Sequence, residues 1–224
     1  MEFIAQSFGL TYTVLFAQGL CTQCLANYMN ASAKGYSSDF ALVAFTGFVF
    51  LLLNQVEGFI NPYSVAGDVH TIDVVFAILA LFFSSVSLTQ TIIYPGEPRS
   101  RLTIYAVAMC FGVFFSIAFF QLYDGSIGHP DNTFSVISMC AFFKAMSTTC
   151  KYNYQITLNY QRQSCRGLST LSITLDFIGC CFALAQIQLD SLFAGHLFII
   201  YPGINVAKFL LSFISWCCDL TILL

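Results

Sequence analysis

The chain has 224 residues, of which 58 % are hydrophobic and only 8 % charged, against roughly 25 % charged in ordinary globular proteins. So few charges cannot cover a soluble surface, and so apolar a chain does not stay disordered. The net charge of −3, without any basic run, leaves no footprint for nucleic acid. A transmembrane barrel is excluded because the apolar runs are long and unbroken rather than alternating over about 10 residues. What remains is an all-α protein of the lipid bilayer, with about 20 residues needed for each crossing.

Seven apolar segments are expected as helices near 5–29, 38–60, 71–94, 102–123, 133–160, 169–190 and 203–224. The first follows an N-terminus without a Lys/Arg cluster, so it is expected as a retained helix and not a cleaved leader. Turn-forming residues punctuate the rest: Lys34-Gly35, Asn61-Pro62, Pro95-Gly96-Glu97-Pro98, Asp124 to Asp131, Gln161 to Gly167, and Pro202-Gly203. Connections 1–2, 3–4 and 5–6 hold Lys34, Arg99, Arg101, Arg162 and Arg166, while the N-terminus and the other three connections hold no Lys or Arg. By the positive-inside rule the N-terminus is expected in a lumen or outside and the C-terminus in the cytosol. The acceptor triplet Asn30-Ala31-Ser32 then lies on the cytosolic side and stays unglycosylated. The ten cysteines fall mostly within apolar runs, and Cys21-x-x-Cys24 has no second pair or nearby His. They read as small helix residues, and no metal or cofactor is expected.

Shifted by 132 residues, the chain matches itself. Gln23, Asn27, Gly35, Ser37 and Gly47 meet Gln155, Asn159, Gly167, Ser169 and Gly179, and Asp73 meets Asn205. Helices 1–3 therefore correspond to helices 5–7, and an odd connector helix leaves the two three-helix bundles parallel. The expected organisation is a first bundle over 1–94, a connector over 95–132 and a second bundle over 133–224. Substrate sites of such repeats lie between the bundles near mid-membrane.

Ionisable groups inside apolar runs are costly and mark function. Asp73, Lys144, Lys151, Asp176 and Asp219 are such groups, while Glu57, Asp190 and Lys208 lie close enough to a helix end to reach water. Lys144, Thr148, Lys151, Gln155, Asn159 and Arg162 recur at steps of three and four, which is one stripe of a helix. An ammonium suits a substrate carboxylate, and Asp176 suits a substrate ammonium or a proton. The competing assignments are ion pairs of the lysines with Asp73 and Asp176, and a water-facing Asp219. His70, His129 and His196 lie in separate connections, so no catalytic residue is expected and the chain does not read as an enzyme.

The second repeat runs from Lys151-Tyr152 through Gln155, Asn159, Ser164, Gly167 and Ser169 to Leu175-Asp176-Phe177. The first runs through Gln23, Asn27, Lys34-Gly35, Asp39-Phe40 and Phe45-Thr46-Gly47-Phe48. This pattern resembles the PQ-loop family, on its cystinosin-like side. The resemblance implies proton-driven export of cystine or a related amino acid from a lysosome-like or vacuolar lumen. It implies Lys144, Lys151, Gln155, Asn159, Ser172, Asp176, Gln23 and Asn27 as substrate-site positions, with Asp73 and Asp176 carrying protons. Thr22 and Tyr154 stand where the family has its prolines, and Ala44 and Ser172 where it has asparagines. A sugar or cationic amino-acid carrier of the same fold, a retinal protein using Lys208, and a non-transporting receptor stay open as alternatives.

Overall fold

In the computed structural model the described residues are 2–60, 69–124, 136–193, 195–196 and 206–223. They form seven α-helices: α1 (Glu2–Met29), α2 (Ser38–Ile60), α3 (Thr71–Ile93), α4 (Arg101–Asp124), α5 (Val136–Arg162), α6 (Thr170–Phe193) and α7 (Val206–Leu223). The expected start of the last helix at Pro202-Gly203, and His129 with its connection, lie outside the described residues. Four helices, Ser38–Ile60, Thr71–Ile93, Arg101–Tyr123 and Thr170–Phe193, are long and apolar enough to cross a membrane by themselves. The polar stripe of α5 is buried: Lys144, Thr148, Lys151, Gln155 and Asn159 all face the interior. Leu102, Phe115, Phe119 and Phe120 of α4 are exposed, as suits a lipid-facing surface of an integral membrane protein.

Helix contacts follow the repeat. In the first bundle α3 packs on both α1 and α2, and in the second α7 packs on both α5 and α6. Between bundles α1 lies on α6 and α2 on α5. Exchanging α1, α2 and α3 for α5, α6 and α7 maps each of these contacts onto another. Helix α4 has no counterpart and stands outside, held against α2 and α5. Its attachment is aromatic: Phe50 of α2 lies 5.3 Å from both Phe111 and Phe114 of α4 and 5.0 Å from Phe143 of α5, ring centre to ring centre. Dispersion holds this joint, because lipid is as apolar as phenylalanine.

All the basic connections meet at one end. Ala33 donates its backbone N–H to the Pro95 carbonyl at 2.9 Å, and the loops around Gly35 and Gly167 touch backbone to backbone. Both glycines have positive φ, +91° and +103°, a region that other L-residues enter at a cost. A Cβ on Gly35 would overlap the Arg166 carbonyl oxygen, and one on Gly167 the Lys34 carbonyl oxygen. Only glycine fits either position.

Candidate functional site between the bundles

The repeated glutamines close the basic end. Gln155 donates to the Gly35 carbonyl at 2.9 Å and accepts from the Ser37 N–H at 3.0 Å. Its repeat mate Gln23 accepts from the Ser169 N–H at 2.8 Å and donates to the Gly167 carbonyl at 3.3 Å. Each also donates to the asparagine one turn on, Gln23 to Asn27 and Gln155 to Asn159, both at 2.9 Å. Each half thus supplies the amide that satisfies the start of a helix pair in the other half. Gln155, Asn159 and Asn27 do not line the cavity described next; Gln23 does.

That cavity, of about 50 Å³, lies between the bundles. Its polar side chains include Gln23 of α1, Lys151 and Tyr152 of α5, and Ser172 and Asp176 of α6. Lys151 and Asp176 give it one cation and one carboxylate. Tyr152 donates its hydroxyl proton to Asp176 Oδ2 at 2.5 Å. The Lys151 ammonium lies over aromatic faces, 4.5 Å from the Tyr152 ring centre and 5.4 Å from that of Phe40, an arrangement that holds a cation without neutralising it. Ser172 donates to the Gly19 carbonyl at 2.6 Å, where α1 and α6 approach closely. Lys144, expected beside Lys151, is buried against the Phe48 ring at 3.9 Å, and its ammonium has no hydrogen-bond partner among the described residues.

Neither of these lysines is in an ion pair among the described residues, so the competing assignment to Asp73 and Asp176 is not what the fold builds. Asp73 pairs instead with Lys208, at 2.8 Å. Lys208 was expected to reach water near its helix end, yet it is only 6 % exposed. It also donates to Gln186 at 3.0 Å, and Tyr12 donates its hydroxyl to Asp73. The reason is geometric: Asp73 and Lys208 stand in the first turns of α3 and α7, which begin at the same end. A void of about 10 Å³ adjoins them, far too small for a retinoid on Lys208. Asp219, a candidate for facing water, is fully buried.

His70 caps α3 beside this group. Its backbone N–H reaches Asp73 Oδ2 at 3.1 Å, and its imidazole lies 3.7 Å from Asp190 of α6. That hydrogen-bonding carboxylate raises the His70 pKa above its ordinary value of 6.5, against the opposing effect of burial. Phe16, Phe76 and Leu211 line both the cavity and the small void, so an apolar septum separates the two polar groups. Phe16 and Phe76 are 5.2 Å apart between ring centres.

A profile of the PQ loop repeat matches residues 133–195. Cystinosin of Drosophila melanogaster is 28 % identical, aligned over 82 % of this chain and 48 % of its own. A cystinosin homolog of Arabidopsis thaliana is 30 % identical over 86 % of this chain and 73 % of its own, and cystinosin of Bos taurus 26 % over 85 % and 54 %. The chain spans about half the length of several of these relatives. In fold it is similar to a eukaryotic SWEET transporter, with a TM-score of 0.50 and 13 % identity, over 98 % of this chain and 97 % of that one. With a relative matched over most of both chains, the repeat motif and two three-helix bundles around a connector, the chain belongs to the cystinosin-like PQ-loop family of integral membrane proteins.

Proposed function

We propose that this chain is a proton-coupled symporter that carries cystine or a related amino acid from an acidic, lysosome-like or vacuolar lumen to the cytosol. The observation that carries the reading is that Lys151 and Asp176, a cation and a carboxylate not bonded to each other, line one cavity between the bundles. A neutral sugar has no use for two opposite charges that cost several kcal/mol to bury. A dipolar amino acid matches both, its carboxylate on Lys151 and its ammonium on Asp176. The relatives named cystinosin support the same substrate class. The basic loops face the cytosol in this reading, and Asp73 and His70 face the lumen.

A cavity of about 50 Å³ has room for only a few waters, at about 10–15 Å³ each. The closed cavity is therefore an occluded arrangement, and cystine enters only when the bundles part at one end. Parting at the lumenal end breaks the Asp73–Lys208 tie, and a proton on Asp73 removes the charge that holds it. Parting at the cytosolic end breaks the glutamine bonds to Gly35 and Gly167. A proton and an amino acid taken from the lumen are then released together.

The test is uptake of radiolabelled cystine, lysine and glucose into proteoliposomes, with and without a pH gradient. Cystine uptake is expected to need the gradient, and Lys151→Ala to weaken binding by about 1–3 kcal/mol through loss of a charged hydrogen bond. Gradient-independent glucose uptake, unchanged in Lys151→Ala, overturns the reading.

A further inference from the structure

One cluster near the cavity is larger than amino-acid recognition requires. Asp176 and Cys180 are four residues apart, so they share a face of α6 one turn apart. Asp219 comes across from α7. A carboxylate oxygen of Asp176, the Cys180 sulfur and a carboxylate oxygen of Asp219 all lie within 4.8 Å of one another. Cys180 and Asp219 are both fully buried.

The second observation concerns what Asp219 lacks. Neither of its carboxylate oxygens meets a hydrogen-bond donor among the described residues. The Tyr152 hydroxyl lies near both carboxyl groups but is given to Asp176, and the Lys151 ammonium lies over the Tyr152 ring. A carboxylate taken wholly out of water without a partner is among the least stable things a protein interior holds. Such a group keeps its proton, shared here with the neighbouring Asp176 carboxyl, or exchanges it for a positive occupant. The thiol beside it narrows which kind, because sulfur is a poor ligand for magnesium or calcium and a good one for zinc-like ions.

We propose that Asp176, Cys180 and Asp219 form a binding site for a zinc-like divalent cation between α6 and α7. A tetrahedral ion with bonds of about 2.0–2.3 Å holds its donors roughly 3.5 Å apart, so the three atoms need to close by about 1 Å. Binding releases to water the Cys180 thiol proton and the carboxyl proton held between Asp219 and Asp176, leaving a thiolate and two carboxylates around the ion and a fourth position for water. Asp176 also lines the cavity, so the ion reaches the site by the path that substrate takes. Where the transport reading above holds, an ion on Asp176 competes with the substrate ammonium, and zinc inhibits transport.

The test reads metal binding itself, on the purified full chain in detergent. Cobalt, which substitutes for zinc, is expected to give a sulfur-to-metal charge-transfer absorption. Cys180→Ser, which keeps the side-chain volume nearly unchanged, is expected to lose that band and to weaken zinc binding at least about tenfold. Asp219→Asn is expected to keep the band and weaken binding by a similar factor, so the proposal stays open to test if the serine variant does not fold. No band in the wild-type chain overturns the site, as does a band and affinity unchanged by Cys180→Ser, which would place the sulfur on another of the ten cysteines. Zinc binding without amino-acid uptake would leave this inference standing and overturn only the transport reading. Uptake without zinc binding would do the reverse.

Discussion

At the end where the basic loops meet, the two halves are joined by uncharged amides reaching backbone groups, and the joint is nearly symmetric. Gln23 and Gln155 make the same bonds to Ser169 and Ser37, and Gly35 and Gly167 cross at the centre. At the opposite end the joint is ionic and has no repeat mate: Asp73 with Lys208, and His70 with Asp190. The position matching Asp73 in the second half is Asn205, so the repeat has kept one carboxyl and lost or never had the other. Amide-to-backbone bonds carry no titrating group, whereas His70 at the other end has its pKa raised from 6.5 by the hydrogen bond to Asp190. The basic end also carries the partly exposed Arg162–Glu97 pair at 3.9 Å, so the contrast lies in the buried joint, which is amide-to-backbone at one end and ionic at the other.

Three substitutions separate the two ends. The largest effect is expected at the uncharged end from Gly167→Ala, which combines a positive φ with a backbone overlap. It should cost about 4 kcal/mol or abolish the folded chain, as read by thermal melting in detergent. Gly112→Ala is its control, since a Cβ there meets nothing within 4 Å and a helical alanine is favoured over glycine. Equal melting of both variants would mean that the loops do not cross as described.

Next comes the ionic end. Lys208→Met strands Asp73 without its cation and should cost about 3 kcal/mol, by analogy with broken buried pairs. Adding Asp73→Asn should recover most of that loss, because the uncompensated charge is gone. If the double variant melts no higher than Lys208→Met alone, the pair is not what couples these helices.

The smallest effect belongs to His70. Its folded pKa is raised by Asp190, so the charge pair stabilises the fold below the ordinary value near 6.5 and that contribution fades as pH rises through the folded value. The imidazole is half exposed, so screening keeps the effect small. The melting difference between wild type and His70→Gln is expected to be present near about pH 5.5 and absent near about pH 8.5. A difference that does not change with pH would make His70 a helix cap and nothing more.

The helices were legible because each apolar run ends in Gly, Pro or a charge, and the inward stripe of α5 because its polar residues keep helical spacing. The repeat was legible as well, but the part its glutamines play was not. Sequence marks Gln23 and Gln155 as matched positions; only the fold shows that their amides are spent on Ser169, Gly167, Ser37 and Gly35. Lys208 was misjudged because distance from a helix end measures access to water only when no neighbour covers it. Here α1, α3 and α6 do, through Tyr12, Asp73 and Gln186. The unsatisfied state of Asp219 was invisible for the same reason, since burial so close to a helix end is imposed by other helices.

The crossed glutamines also set an order of events during synthesis. The Ser37 N–H has its acceptor on Gln155, 118 positions later, and Gln23 waits for Ser169, 146 positions later. While the ribosome is still making the first three helices, neither partner exists, and the turn at Gly35 has nothing to lean on. The first half must therefore persist in the bilayer as a provisional assembly, with water at that end standing in for the missing amides. Only once α5 and the loop after it have emerged are both sets of crossed bonds available. Expressed as two separate polypeptides, the halves should each be short-lived and survive only when made together.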